Sequence, residues 1–351
     1  MSQKGENAYA EAGVDIEAGK KAVELIKPHI RSTYGSRVLS NIGSFAGLLD
    51  VSFLKQYQNP VLAMSCDGPG TKIILSEMTD NYQVGRCIVN HNVNDILCSG
   101  AHPIAFLNYL GSAKLEPEVI EKIVAEMAVA CRELGIPIIS GETAEMPSVY
   151  QAERHEAVGF IVGVTEKDRI LDGSKIREGD ALIGLPSNGL HTSGYSLARK
   201  AFFETAGCNA NTYLRELGCT VGEELLKVHK CYLKSVERAL AIGSKVHAMA
   251  HITGGGFYDN IGRLLEDGLC AEISGRWKIP SVFRLIQRIE NLSSKDMRHF
   301  FNLGVGFVLI VPPEQTKYVR GNLWLAGETN NVLMGKIKKT RLKKKKVVFT
   351  Y

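Results

Sequence analysis

The 351 residues include 42 basic and 37 acidic side chains, a formal balance of +5, with 45% apolar and 23% charged residues. That is the composition of a globular protein with room for about two domains and well-buried cores. The positive balance is local: eight basic residues fall between Lys336 and Lys346, no acid follows Glu328, and Met1–Gly335 carries 34 basic against 37 acidic residues. No molecule-wide field for nucleic acid or a membrane surface is therefore indicated. The opening MSQKGENAYAEAG has no apolar signal core, and no apolar run approaches the roughly 18 residues of a membrane span, so a cytoplasmic location is expected.

Apolar runs alternate with helical patterns along the chain. Val61–Cys66 and Ile136–Ile139 read as short buried strands, while Glu118–Leu134 and Ser281–Glu290 carry helical apolar spacing. These define an α/β (α+β) protein. The polar stretch EKDRILDGSKIREGD (166–180) precedes a new strand at Ala181–Leu185, which places a domain boundary near 170 and predicts domains 1–170 and 171–351. Glycines number 35, about a tenth of the chain against an average near 7%, which indicates tight turns or backbone close to a ligand. The eight cysteines (66, 87, 98, 131, 208, 219, 231, 270) form no CxxC pair and read as buried free thiols rather than a zinc site or disulfide framework.

Five segments could carry chemistry. DGPGTK (67–72) follows a strand and ends it in an acid with two glycines, Gly68 and Gly70, before Thr71 and Lys72; this suits an anion with a bound cation, although it is not a Walker A loop and a bare turn has the same composition. VNHNVNDIL (89–97) sets His91 and Asp95 four apart on a helix, with Asn90 and Asn94 also four apart. Such groups are costly to bury unless something polar uses them, and a solvated helix face is the other reading. SGETAEMP (140–147) brings Glu142 out at a strand end, where open α/β folds bind ligands. Asp67, Asp95 and Glu142 together would supply the oxygen ligands that magnesium and a nucleotide require, if they converge. SNGLHTSGYSLARK (187–200) presents His191 in a Gly-rich loop that opens a helix, and HAMAHITGGGFYDNIGRLL (247–265) presents Thr253 and Gly254–Gly256 in the same way. Each could cradle a phosphate or simply cap its helix. His247 and His251 have zinc-helix spacing, but position 248 is Ala and glycines follow at once, so His251 reads better as a proton-transfer, phosphate-binding or structural histidine. No nucleophile elbow, kinase signature or GxGxxG fingerprint is present. ATP use is the natural inference.

Taken in order, AGVDIEAG (12–19), DGPGTK (67–72), VNDIL (93–97), GETAEMP (141–147), GLHTSGYSLARK (189–200), AHITGGGFYDNIGR (250–263) and FNLGVGF (301–307) resemble the phosphoribosylformylglycinamidine cyclo-ligase family, the AIR synthetases. The resemblance implies a homodimer of two-domain subunits whose N-terminal sheets pair across the dimer. It implies use of ATP and Mg2+ to close formylglycinamidine ribonucleotide to aminoimidazole ribonucleotide, with transient contact to neighbouring purine-pathway enzymes and no role for nucleic acid or membrane. Carried over by motif, Asp67, Asp95 and Glu142 would bind metal and ATP, beside Gly68, Gly70, Thr71 and Lys72. Lys27 would reach the site on a mobile N-terminal arm. His191 and Thr253–Gly256 would hold the substrate's phosphate or ribose, and His251 would transfer a proton.

Pro69, Asn90, His91, Asn92, Asn108, Ser140, Ser148 and Ser193 depart from the family pattern, and Asn108 replaces the acid of an FLDY motif. Two other readings are open: another ATP-using member of the same superfamily, or a nucleic-acid binder acting through the basic end MGKIKKTRLKKKKVVFTY. For that end an edge hairpin whose lysines block sheet aggregation is the simpler expectation.

Overall fold

The computed structural model describes residues 12–341 and 346–350. The chain forms two units: one holds the residues up to Asn92 together with His102–Glu166, and the other holds Val93–Ala101 together with Lys167 onward. A short stretch from within the expected first domain thus belongs to the second unit.

In the first unit, β1 (Pro60–Asp67), β2 (His102–Ser112), β3 (Ile138–Glu145) and β4 (His155–Glu166) make one sheet in the order β1-β4-β2-β3. β4 runs antiparallel to β1 and β2, and β3 runs parallel to β2. A parallel pair needs a crossover, here the helix Pro117–Leu134. Proline at its first position and Gly135 in the left-handed region just past its end fix its limits, and Ile120, Ile123, Val124, Met127 and Cys131 are buried. The helix Ile16–Arg31 is capped by Asp15, whose carboxylate accepts from the Ala18 N–H at 2.9 Å.

The helix Val84–Leu97 overturns the solvated-face reading: His91 is 4% exposed, and Asn92 and Asn94 are fully buried. It lies so close to Pro117–Leu134 that a Cβ on Gly85 would sit 2.3 Å from the Ile123 carbonyl oxygen. Only glycine permits that approach.

The second unit is built on a six-stranded sheet. It contains β5 (Ala181–Pro186), β8 (Ala248–His251), β9 (Leu269–Ile273), β10 (Val305–Val311), β11 (Val332–Lys339) and β12 (Val347–Phe349), ordered β12-β9-β11-β5-β10-β8; a separate pair joins β6 (Tyr213–Leu214) to β7 (Cys219–Thr220). Every residue of β10 is buried, as a continuous apolar strand in the middle of a covered sheet should be. The edge-hairpin expectation fails here. β11 is interior, between β9 and β5, and β12 joins the far edge parallel to β9 instead of folding back on β11. Two of the three lysines of β11 meet acids: Lys338 meets Glu272 at 2.5 Å and Lys339 meets Glu178 at 3.2 Å.

All eight cysteines are free, but only Cys87, Cys131 and Cys270 are buried and Cys66 is exposed, so the buried-thiol expectation holds for part of the set. No described helix is long and apolar enough to cross a membrane.

Candidate active site

Asp67 ends β1, and Asn92 locks its backbone from both sides. The Asp67 N–H donates to Asn92 Oδ1 at 3.1 Å, and Asn92 Nδ2 donates to the Asp67 carbonyl at 3.0 Å and the Ile88 carbonyl at 2.9 Å. The carboxylate accepts from the Gly68 N–H at 2.7 Å and meets His91 Nε2 at 3.1 Å, while its side chain stays 48% exposed. It faces a cavity of about 620 Å³ also lined by Gly68, Gly70, Thr71, Tyr150 and Arg154. The DGPG turn thus forms part of the wall of this cavity. Asp67 and the Thr71 hydroxyl are hard oxygen donors of the kind magnesium prefers when it also holds phosphate and water. Arg154 brings positive charge to the rim and is held there by Glu77, at 2.7 Å. Burial pushes the Glu77 carboxyl up, but donors from His155 and Arg154 outweigh it and leave the group below its usual value.

Three expected members of this half lie elsewhere. Lys72 is fully buried at the start of its helix, its Nζ 3.3 Å from Cys87 Sγ, and does not line the cavity. Lys27 is on the helix Ile16–Arg31, ion-paired with Glu24. Glu142 is on β3, and the order β1-β4-β2-β3 puts β1 and β3 at opposite edges. Three strand spacings separate them, about 14 Å. Register adds a second separation: Asp67 shares a cross-strand row with Gly159, Asn108 and Gly141, whereas Glu142 pairs with Tyr109. Because side chains alternate, Glu142 points to the opposite face from Asp67. Within one chain these two acids cannot share an ion. Asn108, 5% exposed, lies in the Asp67 row, and its Oδ1 has no hydrogen-bond partner among the described residues.

The second unit carries a buried histidine cluster. His251 ends the edge strand β8, not a helix, so zinc-helix geometry with His247 does not arise; His247 instead meets Asp180 at 2.7 Å. His251 Nδ1 donates to Asp95 Oδ1 at 2.8 Å, and its Nε2 lies 3.0 Å from Nε2 of His229. His229 Nδ1 meets Thr192 Oγ1 at 3.2 Å, and its ring stacks on His191 at 4.0 Å between centroids and 20° between planes.

Neighbouring backbone groups orient the Asn94 amide. The Tyr232 N–H donates to Asn94 Oδ1 at 2.9 Å, so the Asn94 amide nitrogen is the group that faces the Lys230 carbonyl at 2.8 Å and His229 Nε2 at 3.2 Å. His251 is thus held between the Asp95 carboxylate at Nδ1 and the His229 ring at Nε2, an arrangement in which a proton can sit on either facing nitrogen. The ligand-type atoms of His191, His229 and His251 lie within 4.8 Å of one another. Near-parallel stacked rings, however, cannot aim both in-plane lone pairs at one ion, so the cluster is a hydrogen-bonded unit. His191 itself has φ +66°, and a Cβ on Gly306 would come within 2.3 Å of its ring. Glycine at 306 makes room for it.

The Thr253–Gly256 loop turns through Gly255 and Gly256, both in the left-handed region. Asn260 ties it by donating to the carbonyls of Gly254 at 3.1 Å and Gly256 at 2.8 Å. Neither His229 nor Asn260 has a local sequence signal: VHKCY carries no motif, and Asn260 is one polar residue within GGGFYDNIG.

These features define a two-unit α/β protein with an acid-and-glycine cavity in one unit and a histidine cluster in the other. The chain belongs to the AIR synthase related family, whose N-terminal domain matches residues 46–165 and whose C-terminal domain matches residues 177–340. It is 41% identical over 327 residues to the phosphoribosylformylglycinamidine cyclo-ligase of Alkaliphilus oremlandii, covering 93% of this chain and 95% of that one. It is 44% identical over 329 residues to the enzyme of the same name from Bacillus cereus strain G9842, covering 93% and 94%. Solved structures with this fold include the hydrogenase maturation protein HypE in complex with ATP, with TM-score 0.64, 17% identity and coverage of 92% and 88%. The thiamine-monophosphate kinase of Stenotrophomonas maltophilia K279a also matches, with TM-score 0.66, 17% identity and coverage of 94% and 95%.

Proposed function

We propose that the chain catalyses the ATP-dependent closure of formylglycinamidine ribonucleotide to aminoimidazole ribonucleotide, ADP and phosphate, a ligase step of purine synthesis. The observation that carries this reading is 41% identity to a cyclo-ligase across nearly the full length of both chains. A formamide oxygen is a very poor leaving group. In this reading the oxygen attacks the γ-phosphorus, ADP departs, and the ribose-bearing nitrogen closes on the activated carbon, expelling the oxygen as phosphate. That chemistry needs positioning and charge neutralisation rather than a protein nucleophile.

Each half of the site has a part in this scheme. Asp67, with Gly68, Gly70 and Thr71, would hold the phosphates; a magnesium ion bound there would neutralise the charge on the transferring group. His251, held by Asp95 and His229, is assigned the proton transfer of ring closure. His191 and the Thr253–Gly256 loop are assigned to the substrate's phosphate and ribose. Lys27 and Glu142 are assigned supporting roles at the metal and phosphates. Since Glu142 cannot meet Asp67 within a chain, its role would require a second subunit.

A homodimer fits the first unit's sheet, whose outer face exposes Leu62 (49%), Met64 (68%) and Phe160 (40%). A cytoplasmic location is part of the same reading. The direct test is ADP release by purified protein with magnesium and ATP. ADP should appear only with formylglycinamidine ribonucleotide present, one aminoimidazole ribonucleotide per ADP; hydrolysis independent of that substrate would refute the assignment.

A further inference from the structure

We infer that the second unit carries a separate nucleotide-binding cleft, built by β12 against the helices Gly256–Gly262 and Ser294–Phe300. The cleft has a volume of about 960 Å³, at the upper end of what small-molecule pockets occupy. Among the described residues four cations reach it from three directions: Arg263 from the end of one helix, Lys295 and Arg298 from the other, and Lys346 from the segment leading into β12. Asp259 is the one acid among the lining residues.

Two features favour a phosphorylated ligand with a ring. First, the Arg298 guanidinium lies over the Phe349 ring at 4.2 Å. A guanidinium already held against an aromatic face loses little freedom on binding, and its fork of donors suits recognition of phosphate. Lys346 is also fixed, donating from Nζ to the Leu265 carbonyl at 2.5 Å, and an ammonium so placed keeps further donors for an anion. Second, Tyr258 stands beside these charges, edge-on to Phe349 at 5.8 Å, with its ring lining the cleft. Cations against an aromatic wall match the phosphate chain and base of a nucleoside polyphosphate.

The local distribution of charge supports the same conclusion. Lys338 and Lys339 are used in ion pairs with Glu272 and Glu178, while the cleft gathers four cations around one carboxylate. A pocket of small-molecule size favours a mononucleotide over a polynucleotide, whose sites run along grooves. The proposal is independent of the cyclo-ligase reading, because none of the side chains lining the cleft is assigned to the site described above; only the first residue of one wall helix, Gly256, is shared.

Equilibrium dialysis of the full chain with labelled ATP tests it. The wild type should bind one more equivalent of ATP than the charge-reversed K295E/R263E variant, whose substitutions are at exposed positions. R298Q, which keeps a planar amide over Phe349, should weaken that equivalent at least tenfold. Y258A should weaken ATP without weakening inorganic tripolyphosphate. The variants should keep wild-type cyclo-ligase rates at saturating ATP. If ATP bound the active site nowhere, wild type would bind one equivalent and K295E/R263E none, which separates failure of the proposed function from failure of the cleft. Equal stoichiometry in wild type and K295E/R263E would overturn the inference. So would tripolyphosphate displacing the extra ATP as effectively as ATP itself, or a 12-nucleotide RNA binding the cleft far more tightly than ATP.

Discussion

Asp67, which we propose holds the phosphates, has its geometry set by a neighbouring side chain. The fully buried Asn92 makes hydrogen bonds to both backbone groups of Asp67, so the carboxylate is positioned before any ligand arrives. Asp67→Asn preserves shape and removes charge; we expect turnover to fall by about a hundredfold or more while the melting temperature is nearly unchanged, which steady-state kinetics and calorimetry together would check. A wild-type rate in that variant would remove Asp67 from the phosphate site. Glu77 offers a test in pH. Its carboxyl is held below the ordinary value by His155 and Arg154 despite burial. A depressed acid contributes stability above its unfolded value, about 4.3, and that contribution is lost as pH falls through the folded one. Glu77→Gln should therefore flatten the acid limb of urea unfolding below about pH 4.3, and an unchanged limb would show that the ion pair contributes nothing.

Among the elements, the helix Val84–Leu97 decides most about the site. It supplies Asn92 beneath Asp67, and Asn94 and Asp95 to the histidine cluster. Gly85→Ala would drive a Cβ into the Ile123 carbonyl; we expect a loss of roughly 1–3 kcal/mol from overpacking, measured by chemical denaturation. This helix also shows where sequence reasoning stops. Its polar cluster was visible as a cost needing a reason, and the Gly-framed segments at Asp67, His191 and Thr253 were visible because glycine next to acid or histidine is a local pattern. His229 was not visible. Its partners are Asn94, Thr192 and His251, each distant in sequence, and nothing in VHKCY announces them. Lys72 misled for the converse reason: a lysine after a glycine turn reads as a phosphate ligand, while the fold points it inward against Cys87. The partner of β12 was equally hidden, because three residues carry no information on which edge they will join. His229→Ala tests the cluster. It removes the hydrogen-bond partner of His251 Nε2 and opens a buried space, so a loss of about 2–4 kcal/mol should accompany reduced turnover. Full activity and stability would mean the cluster is incidental packing.

For the whole molecule, the exposed apolar face of β1 and β4 makes the association state the quantity to measure. Replacing Leu62 and Met64 by Glu should convert a two-chain species to one chain in sedimentation experiments and abolish activity with it, provided Glu142 acts in trans. A wild type that sediments as one chain would exclude that arrangement.

The division of the sequence between the units has a further consequence during synthesis on the ribosome. β1 at Pro60–Asp67 must wait for β4 at His155–Glu166 to complete its sheet, and by then Val93–Ala101, part of the other unit, has long left the exit tunnel. Asn94 and Asp95 are thus made more than a hundred residues before the Tyr232 and His251 they will hold. A fragment beginning at Lys167 would lack both. Neither unit can be excised by one cut, and the histidine cluster cannot assemble until nearly three-quarters of the chain exists.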